Sequence, residues 1–193
     1  MPSLWVGTKV RLRPLRPEDA RYWRASADDV ELQRLSWQTR FPYDEARRRR
    51  GLEKAREKDA PPGDNRTLLI ETLDGEPVGT IGLHAASRRH RRIDLHLGLD
   101  DRRNWGKGYA GEAIRLLLRF VFHELDYAKV NLDVYAYNTR AIGLYEHLGF
   151  RHEGRIRSTV VTDGRRHDEL LMGMTREEYD ALHPWWFPEE PPA

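Results

Sequence analysis

Leu95-His-Leu-Gly-Leu-Asp-Asp-Arg-Arg-Asn-Trp-Gly-Lys-Gly-Tyr-Ala-Gly111 is the stretch on which the fold turns. It opens with leucines at alternate positions, the period of a strand with one buried face. It then passes through a basic turn in which Gly106, Gly108 and Gly111 are closely spaced. From Tyr109 to Leu125 the apolar residues recur at helical spacing. Ile114, Leu117, Leu118, Val121, Phe122 and Leu125 share one face, and Glu112, Arg115, Arg119 and His123 fall on the other. Glycine lets backbone N–H groups approach a ligand with no Cβ in the way. The first turn of a helix carries unpartnered N–H groups and a partial positive charge. Strand, glycine turn and helix start, in that order, make a phosphate seat.

Upstream, Ile93 to Leu99 sets Ile93, Leu95, Leu97 and Leu99 against Asp94, His96 and Gly98. Thr67 to Thr72 and Val78 to Ala86 read as two further strands joined at Asp74-Gly75. Ser87 to Arg92 turns into the third, giving an antiparallel meander. Downstream, Lys129 to Tyr135 reads as a strand. Asn138 caps a helix from Thr139 to Leu148, and Gly149 takes the left-handed position after it. A strand to about Thr162, a turn at Asp163-Gly164, a return over Asp168 to Met174 and a capping box from Thr175 to Glu178 complete this half.

Ahead of the meander, Lys9 to Leu15 reads as a short strand. Pro17-Glu18-Asp19 starts a helix with Tyr22, Trp23 and Ala27 on one side, and Val30 to Leu35 forms a second. An aromatic loop holds Trp37, Phe41 and Tyr43, and Asp44 caps a helix to about Asp59. That helix carries Arg47 to Arg50. Glu45, Glu53 and Glu57 lie at spacings that pair with the arginines, so the run reads as a solvated face.

The 193 residues suit one domain. Residues 8–66 hold the N-terminal helices, 67–175 the core with the phosphate seat, and 176–193 a last helix and tail. One third of the residues are charged, yet the formal net charge is +2, so bulk electrostatics gives nucleic acid little attraction. The absence of cysteine excludes disulfides, thiolate metal sites and a cysteine nucleophile, and fits a reducing compartment. No apolar run approaches the ~20 residues of a membrane helix, and the N-terminus lacks an apolar secretory segment. A cytoplasmic setting is expected. The tail, with Trp185, Trp186 and Phe187 among prolines, is expected to dock on its own domain, with a homodimer contact as the alternative.

Gly106-Lys-Gly108-Tyr-Ala-Gly111 matches the dinucleotide fingerprint letter for letter, with Asp133 near the distance of a ribose-binding acid. The context does not fit. Asp100 to Trp105 separate the strand from the glycines, antiparallel strands come first, and Asp133 lies within its strand. A Walker loop fails because Gly108 stands where Ser or Thr is required. The eight histidines show no His-Glu-x-x-His spacing, so no metal site is expected.

Arg103-Asn-Trp-Gly106-Lys-Gly108 resembles the Arg/Gln-x-x-Gly-x-Gly/Ala pattern of the acetyl-CoA-dependent N-acetyltransferase (GNAT) superfamily. Asn138-Thr-Arg-Ala-Ile-Gly-Leu-Tyr145-Glu-His-Leu-Gly149-Phe150 is similar to that superfamily's second motif. Glu153-Gly154, Asp163-Gly164, Asp168 and Met172 resemble the close of its ribosomal-protein-alanine and spermidine acetyltransferase branch. The resemblance implies an α/β (α+β) fold with a central, mostly antiparallel sheet of about seven strands flanked by helices. The sheet splays between the strand ending at Leu99 and the strand beginning at Lys129.

The resemblance also implies the cosubstrate, acetyl-CoA. Its pantetheine arm would pair with backbone at Leu97, Gly98 and Leu99 by strand addition. Its pyrophosphate would sit on N–H groups of Arg103, Asn104, Trp105, Gly106, Lys107, Gly108, Tyr109 and Ala110. Asn138 and Ala141 complete the cofactor side, and Lys107, Arg102 or Arg140 meets the remaining phosphate. The reaction implied is acetyl transfer to a primary amine in a ternary complex, without a covalent enzyme intermediate. A primary amine, with a reference pKa of ~10.4, must lose a proton before it attacks. The departing thiolate gains from an acid. Tyr145 takes the acid's role, because a phenol of reference pKa ~10 keeps its proton at neutral pH. Asp94 takes the position of the branch's glutamate as base, with His96 or a water as alternatives and His84 on the neighbouring strand. The acceptor is a protein N-terminal amine or a small amine such as a polyamine, with the arginine-rich N-terminal half favouring the peptide. A non-catalytic acyl-CoA-binding module, helped to nucleic acid by Arg47 to Arg50 and Arg88 to Arg92, is the competing class.

Overall fold

Seven strands form one sheet: β1 (Val10–Pro14), β2 (Arg66–Thr72), β3 (Pro77–Ser87), β4 (Arg92–Leu99), β5 (Lys129–Tyr135), β6 (Arg151–Thr162) and β7 (Arg165–Thr175). Their spatial order is β1-β2-β3-β4-β5-β7-β6. The helices are α1 (Val30–Leu35), α2 (Glu45–Glu57), α3 (Tyr109–Arg119), α4 (Thr139–His147) and α5 (Arg176–Leu182). The computed structural model describes residues 3–23, 29–35, 44–57 and 63–183. The aromatic loop of Trp37, Phe41 and Tyr43, Ala27 and the tail of Trp185, Trp186 and Phe187 lie outside the described residues. Among those described, no helix is long and apolar enough to cross a membrane.

Neighbouring strands are antiparallel at every seam except the one that matters most. β4 and β5 run parallel, because the chain between them crosses back through α3. They pair only at Arg92↔Lys129, Ile93↔Val130 and Asp94↔Asn131. Beyond Asp94 they part, while β4 stays bonded to β3 as far as Gly79↔Leu99 and β5 to β7 as far as Tyr135↔Glu169. The splay therefore lies between the two strands expected.

The core explains why the opening does not divide the molecule. Ala113, Ile114, Leu117 and Leu118 of α3 are buried in one cluster with Ile81, Leu83, Ile93 and Leu95 on one side of the seam and Val130, Leu132 and Val134 on the other. Burying one such aliphatic side chain contributes about 1.5–3 kcal/mol. Val121 and Phe122 extend the same face.

The single helix expected over Tyr109 to Leu125 is two elements. After Arg119 the chain makes a π turn over Phe120–Glu124, with Leu125 N–H donating to Phe120 O and Tyr127 N–H to Val121 O. The wider turn rotates the residues beyond it about the helix axis. His123, expected to face outward, is turned inward with its ring centroid 5.6 Å from that of Tyr179. Glu112, expected on the outer face, is also drawn in. Its carboxylate accepts from Thr8 N (2.8 Å), Thr8 Oγ1 (2.7 Å), Lys9 N (2.7 Å) and Val10 N (2.7 Å). Burial alone would raise its pKa, but these donors hold it below the ordinary carboxylate range.

The helix expected to start at Pro17 is a 3-10 segment over Pro17–Trp23. Asp19, expected as a helix-start acid, accepts from Arg16 N (2.7 Å) and from both terminal nitrogens of Arg13 (2.9 Å each). Arg13 Nε also donates to Glu71 at 2.8 Å, where Arg11 joins it. This network fastens the N-terminal segment to β1 and β2. The arginine run on α2 is the solvated face that its spacing implies: Asp44 caps it through Arg47 N, and Arg49 pairs with Glu53 at 3.1 Å.

Candidate active site

The turn after β4 is shaped by backbone. Asp101 accepts from Arg103 N (2.8 Å) and pairs with the Arg103 guanidinium, closing a single turn over Arg102–Asn104, in which Asn104 N donates to Asp101 O. Gly106 (φ 74°) and Gly108 (φ 84°) then take left-handed conformations. Gly108 is the N-cap of α3 and offers no side chain to its first N–H groups. A Cβ at Gly108 would lie 2.8 Å from Lys9 Nζ, whereas Gly106 has open space and needs glycine for its φ alone.

Of the three cations expected around this turn, Lys107 and Arg140 lie beside its aromatic rings and Arg102 is engaged elsewhere. Arg102 is committed to the start of α1: it donates to Asp29 through two bonds of 2.6 Å and to Glu31 at 2.7 Å. It is thus a tether, not a free phosphate partner. Arg140 lies over the Trp105 ring, 4.8 Å from its centroid, and Lys107 Nζ lies 5.9 Å from the Tyr109 centroid. Lys9, which no motif marks, reaches the turn and donates to Lys107 O at 3.0 Å. Its approach depends on β1 lying beside α3, and Glu112 fixes that contact.

From the turn a cleft of about 480 Å³ runs into the splay. Consecutive residues Leu95 to Leu99 line one edge, and Asp133 to Tyr135 line the other. Successive strand residues point to opposite faces, so the cleft passes through the sheet. Trp105, Ala110, Ala141 and Leu144 extend it toward the turn, and Leu32 and Leu35 of α1 roof it. The roof is held at several points. Tyr137 OH donates to Arg34 O, Arg34 pairs with Asp163 at 3.1 Å, and Asn138 Nδ2 lies 3.4 Å from Leu35 O. Asn138 Oδ1 meanwhile caps α4 at Ala141 N (3.2 Å), so both ends of this amide are engaged by protein.

Tyr145 of α4 lines the cleft. It is 6% exposed and stands edge-on to Phe150, with ring centroids 5.9 Å apart. Burial, with the nearby Asp133 carboxyl, pushes its phenol up to about 12. Asp94 stands at the closed end of the splay, on the last β4–β5 rung, and is not among the residues lining the cleft. Its Oδ1 accepts from Asn131 Nδ2 at 3.0 Å, with Arg92 3.9 Å away. His96 does line the cleft. Its Nδ1 is 3.4 Å from Nδ1 of His84, and its Nε2 is 3.4 Å from Thr67 Oγ1. Burial, and then the neighbouring His84, lowers its pKa, so the ring is neutral at pH 7. Opposite it, Gly82 leaves room that a Cβ would take, 2.5 Å from the imidazole.

Asp133, whose place within its strand argues against a ribose-binding role, is a candidate residue that the acetyltransferase-like motifs do not mark. Its Oδ2 is buried and has no hydrogen-bond partner among the described residues. Burial, then Glu169 and Asp94, raise its carboxyl to about 7. The signal that could have found it is the alternation of β5. Val130, Leu132 and Val134 are buried, which puts Asp133 on the face of Asn131 and Tyr135, past the last rung to β4. A phenol that keeps its proton and a carboxyl that exchanges one near neutrality can give and take protons within one cavity.

Comparison with known proteins agrees with this geometry. The Acetyltransferase (GNAT) domain family matches residues 9–151. The chain is 36% identical to the SPbeta prophage-derived uncharacterized N-acetyltransferase YokL of Bacillus subtilis (strain 168), over 94% of this chain and 98% of that protein. It is 28% identical to the spermidine N(1)-acetyltransferase of Escherichia coli (strain K12), over 95% and 93% respectively. The crystal structure of spermidine N-acetyltransferase from Vibrio cholerae in complex with CoA and spermine has the same fold, with a TM-score of 0.76 at 24% identity over 90% of this chain and 99% of that one. Since the domain match takes in β1, the splay and α4, and the likeness to YokL runs nearly end to end, the chain belongs to the GNAT acetyltransferase family.

Proposed function

We propose that this protein moves an acetyl group from acetyl-CoA to a primary amine by direct attack in a ternary complex. The observation that carries this reading is one cleft through the splayed sheet, reaching from the glycine turn to Tyr145 and Asp133. Acetyl-CoA is the cosubstrate, and it supplies the activated acetyl thioester. The chain has what its parts require. The N–H groups from Arg103 to Ala110, and the uncapped start of α3 above all, suit the pyrophosphate. The edge of β4 from Leu97 to Leu99, free of β5, suits the amides of the pantetheine arm. Lys9, Lys107 and Arg140 are the cations nearest the remaining phosphate's expected position.

Asp133 takes the proton that the acceptor must lose, and Tyr145 gives one to the departing sulfur. Asp94, held by Asn131, stands behind Asp133 and raises its carboxyl rather than serving as the base itself. His96, neutral and at the cleft wall, accepts a hydrogen bond from the acceptor. The acceptor is a peptide N-terminal amine or a small amine. The gathering of Asp94, Asp133 and Glu169 favours a polyamine as a second reading, because these acids come from β4, β5 and β7 and not from the arginine-rich N-terminal segment. A cytoplasmic setting belongs to the same reading and rests on the cysteine-free sequence.

The test is thiol release from acetyl-CoA with polyamines and N-terminal peptides, read by mass spectrometry of the product. Turnover with an amine, reduced about 100-fold or more in Tyr145→Phe, supports the reading. Tight CoA binding with no turnover on either class overturns it.

A further inference from the structure

We infer that Glu169 is a positioning residue: its carboxyl holds one shared proton with Asp133 across the β5–β7 seam and so readies Asp133 to act on the acceptor amine. The inference rests on the acetyl-transfer reading above.

The register brings the two together. Tyr135 pairs with Glu169 and Asp133 with Leu171, so Asp133 and Glu169 are diagonal neighbours on one face of adjacent antiparallel strands. Glu169 is only 9% exposed and is not part of the cleft wall, so it stands behind Asp133. Buried carboxylate oxygens normally find donors. Asp133 Oδ2 finds none among the described residues, and the group it meets is a second acceptor. A proton held between them turns two facing acceptors into a hydrogen bond.

Among the described residues, no neighbouring cation offers another solution. The charges acting on Asp133 are Glu169 of β7 and Asp94 of β4, both acids. Asp94 already has the Asn131 amide and the more distant Arg92. Tyr135 on β5 and Tyr145 on α4 are phenols pushed up to about 12, and His96 and His84 face the same cleft from β4 and β3. Two carboxyls that are diagonal neighbours on one buried face cannot both ionise without penalty, and burial adds to it, so Asp133 keeps its proton up to near neutrality.

The working form is the pair after that proton has left. Asp133 then takes a proton from the acceptor ammonium: an N–H bond breaks, an O–H bond forms, and the nitrogen keeps its electron pair for attack. The proton comes to rest between Asp133 and Glu169 and passes to solvent before the next cycle. In Glu169→Gln, burial and Asp94 still raise Asp133, but the amide that donates to it favours the carboxylate and leaves a weaker base toward an ammonium group.

Two measurements test this. In the protein without substrates, NMR of ¹³C-labelled side-chain carboxyls followed against pH should show one carboxyl titrating near neutrality. That titration should vanish in Glu169→Gln, whose amide donates to Asp133, and should persist in Glu169→Asp. In turnover, the acid limb of the kcat/KM profile for the amine should move down by about one pH unit or more in Glu169→Gln. Its kcat should fall about 10-fold, with KM for acetyl-CoA unchanged. Asp133→Asn is the reciprocal variant, usable if Glu169→Gln does not fold: it should also remove the neutral titration. A neutral titration that survives in Asp133→Asn or in folded Glu169→Gln, or an acid limb that stays in place, overturns the inference. If the wild type acetylates no amine but the titration behaves as stated, the acetyl-transfer reading fails and the shared proton stands.

Discussion

The glycine turn and the acid pair do opposite things with the same chain. At the turn, Gly106, Gly108 and the start of α3 present backbone N–H groups, and hardly any side chain is needed for the shape. At the acid pair, the backbone is an ordinary ladder and everything depends on two side chains brought together by strand register. The turn is local, built within a few residues. The pair is distant, spanning β5 to β7 with α4 and β6 between them in the chain. A binding seat can be encoded locally, whereas the proton chemistry proposed above needs the finished sheet.

The sharpest way to break the comparison is at the side-chain end. Asp133→Asn should lower kcat by about 10²–10⁴ with KM for acetyl-CoA unchanged, measured by steady-state thiol release. The backbone end should show the reverse pattern. Gly108→Val forces a β-branched residue to φ 84° beside Lys9 Nζ. Strain of about 1–3 kcal/mol should raise KM for acetyl-CoA roughly 10- to 100-fold while kcat changes little. A kcat loss equal to that of Asp133→Asn would show that the two regions are not separable.

Smaller effects concern the contacts that hold the turn in place. Glu112→Gln keeps the shape but loses the charge that accepts from Thr8, Lys9 and Val10. It should cost about 1–3 kcal/mol in urea unfolding, with a modest rise in KM for acetyl-CoA through Lys9. Acid should act on the same fastenings. Burial favours raising Asp19, Glu71 and Glu112, but their donors win and hold all three below the ordinary carboxylate range. Groups with depressed folded pKa values contribute stability above their unfolded values, and that stability is lost as pH falls through the folded ones. The share of stability from these three groups should therefore hold from neutrality to about pH 5 and be lost below about pH 4, where the urea midpoint should drop. Arg13→Ala, which removes the donor to Asp19 and Glu71, should flatten that drop.

The same contrast explains which features are legible in the chain and which are not. Gly106, Gly108 and the limits of the meander are legible, because turn chemistry and periodicity are written in neighbouring residues, whereas Tyr145 is picked out only by the resemblance of its motif. Asp94 is legible as a strand-face acid, but not its place at the closed end of the splay, which depends on where β5 stops pairing. Glu112 and His123 belong to the outward face of an ideal α-helix, and neither stays there. The N–H groups of an incoming strand capture one, and a π turn redirects the other. Lys9 and Asp133 carry their meaning only through contacts far along the chain. Arg102 resembles a phosphate ligand by its place in the turn, but Asp29 and Glu31 hold it.

The short seam between β4 and β5 makes the sheet mechanically dependent on its helix. Three rungs are a weak stitch for a sheet of this size, and the side chains of α3 supply the rest by gripping Ile93 and Leu95 on one bank and Val130 and Leu132 on the other. The width of the channel is thus governed from underneath, by oil rather than by hydrogen bonds. Trimming Ile114 or Leu117 far from any reacting atom would change the spacing of the two banks, so that a loss of packing would be felt as a loss of chemistry.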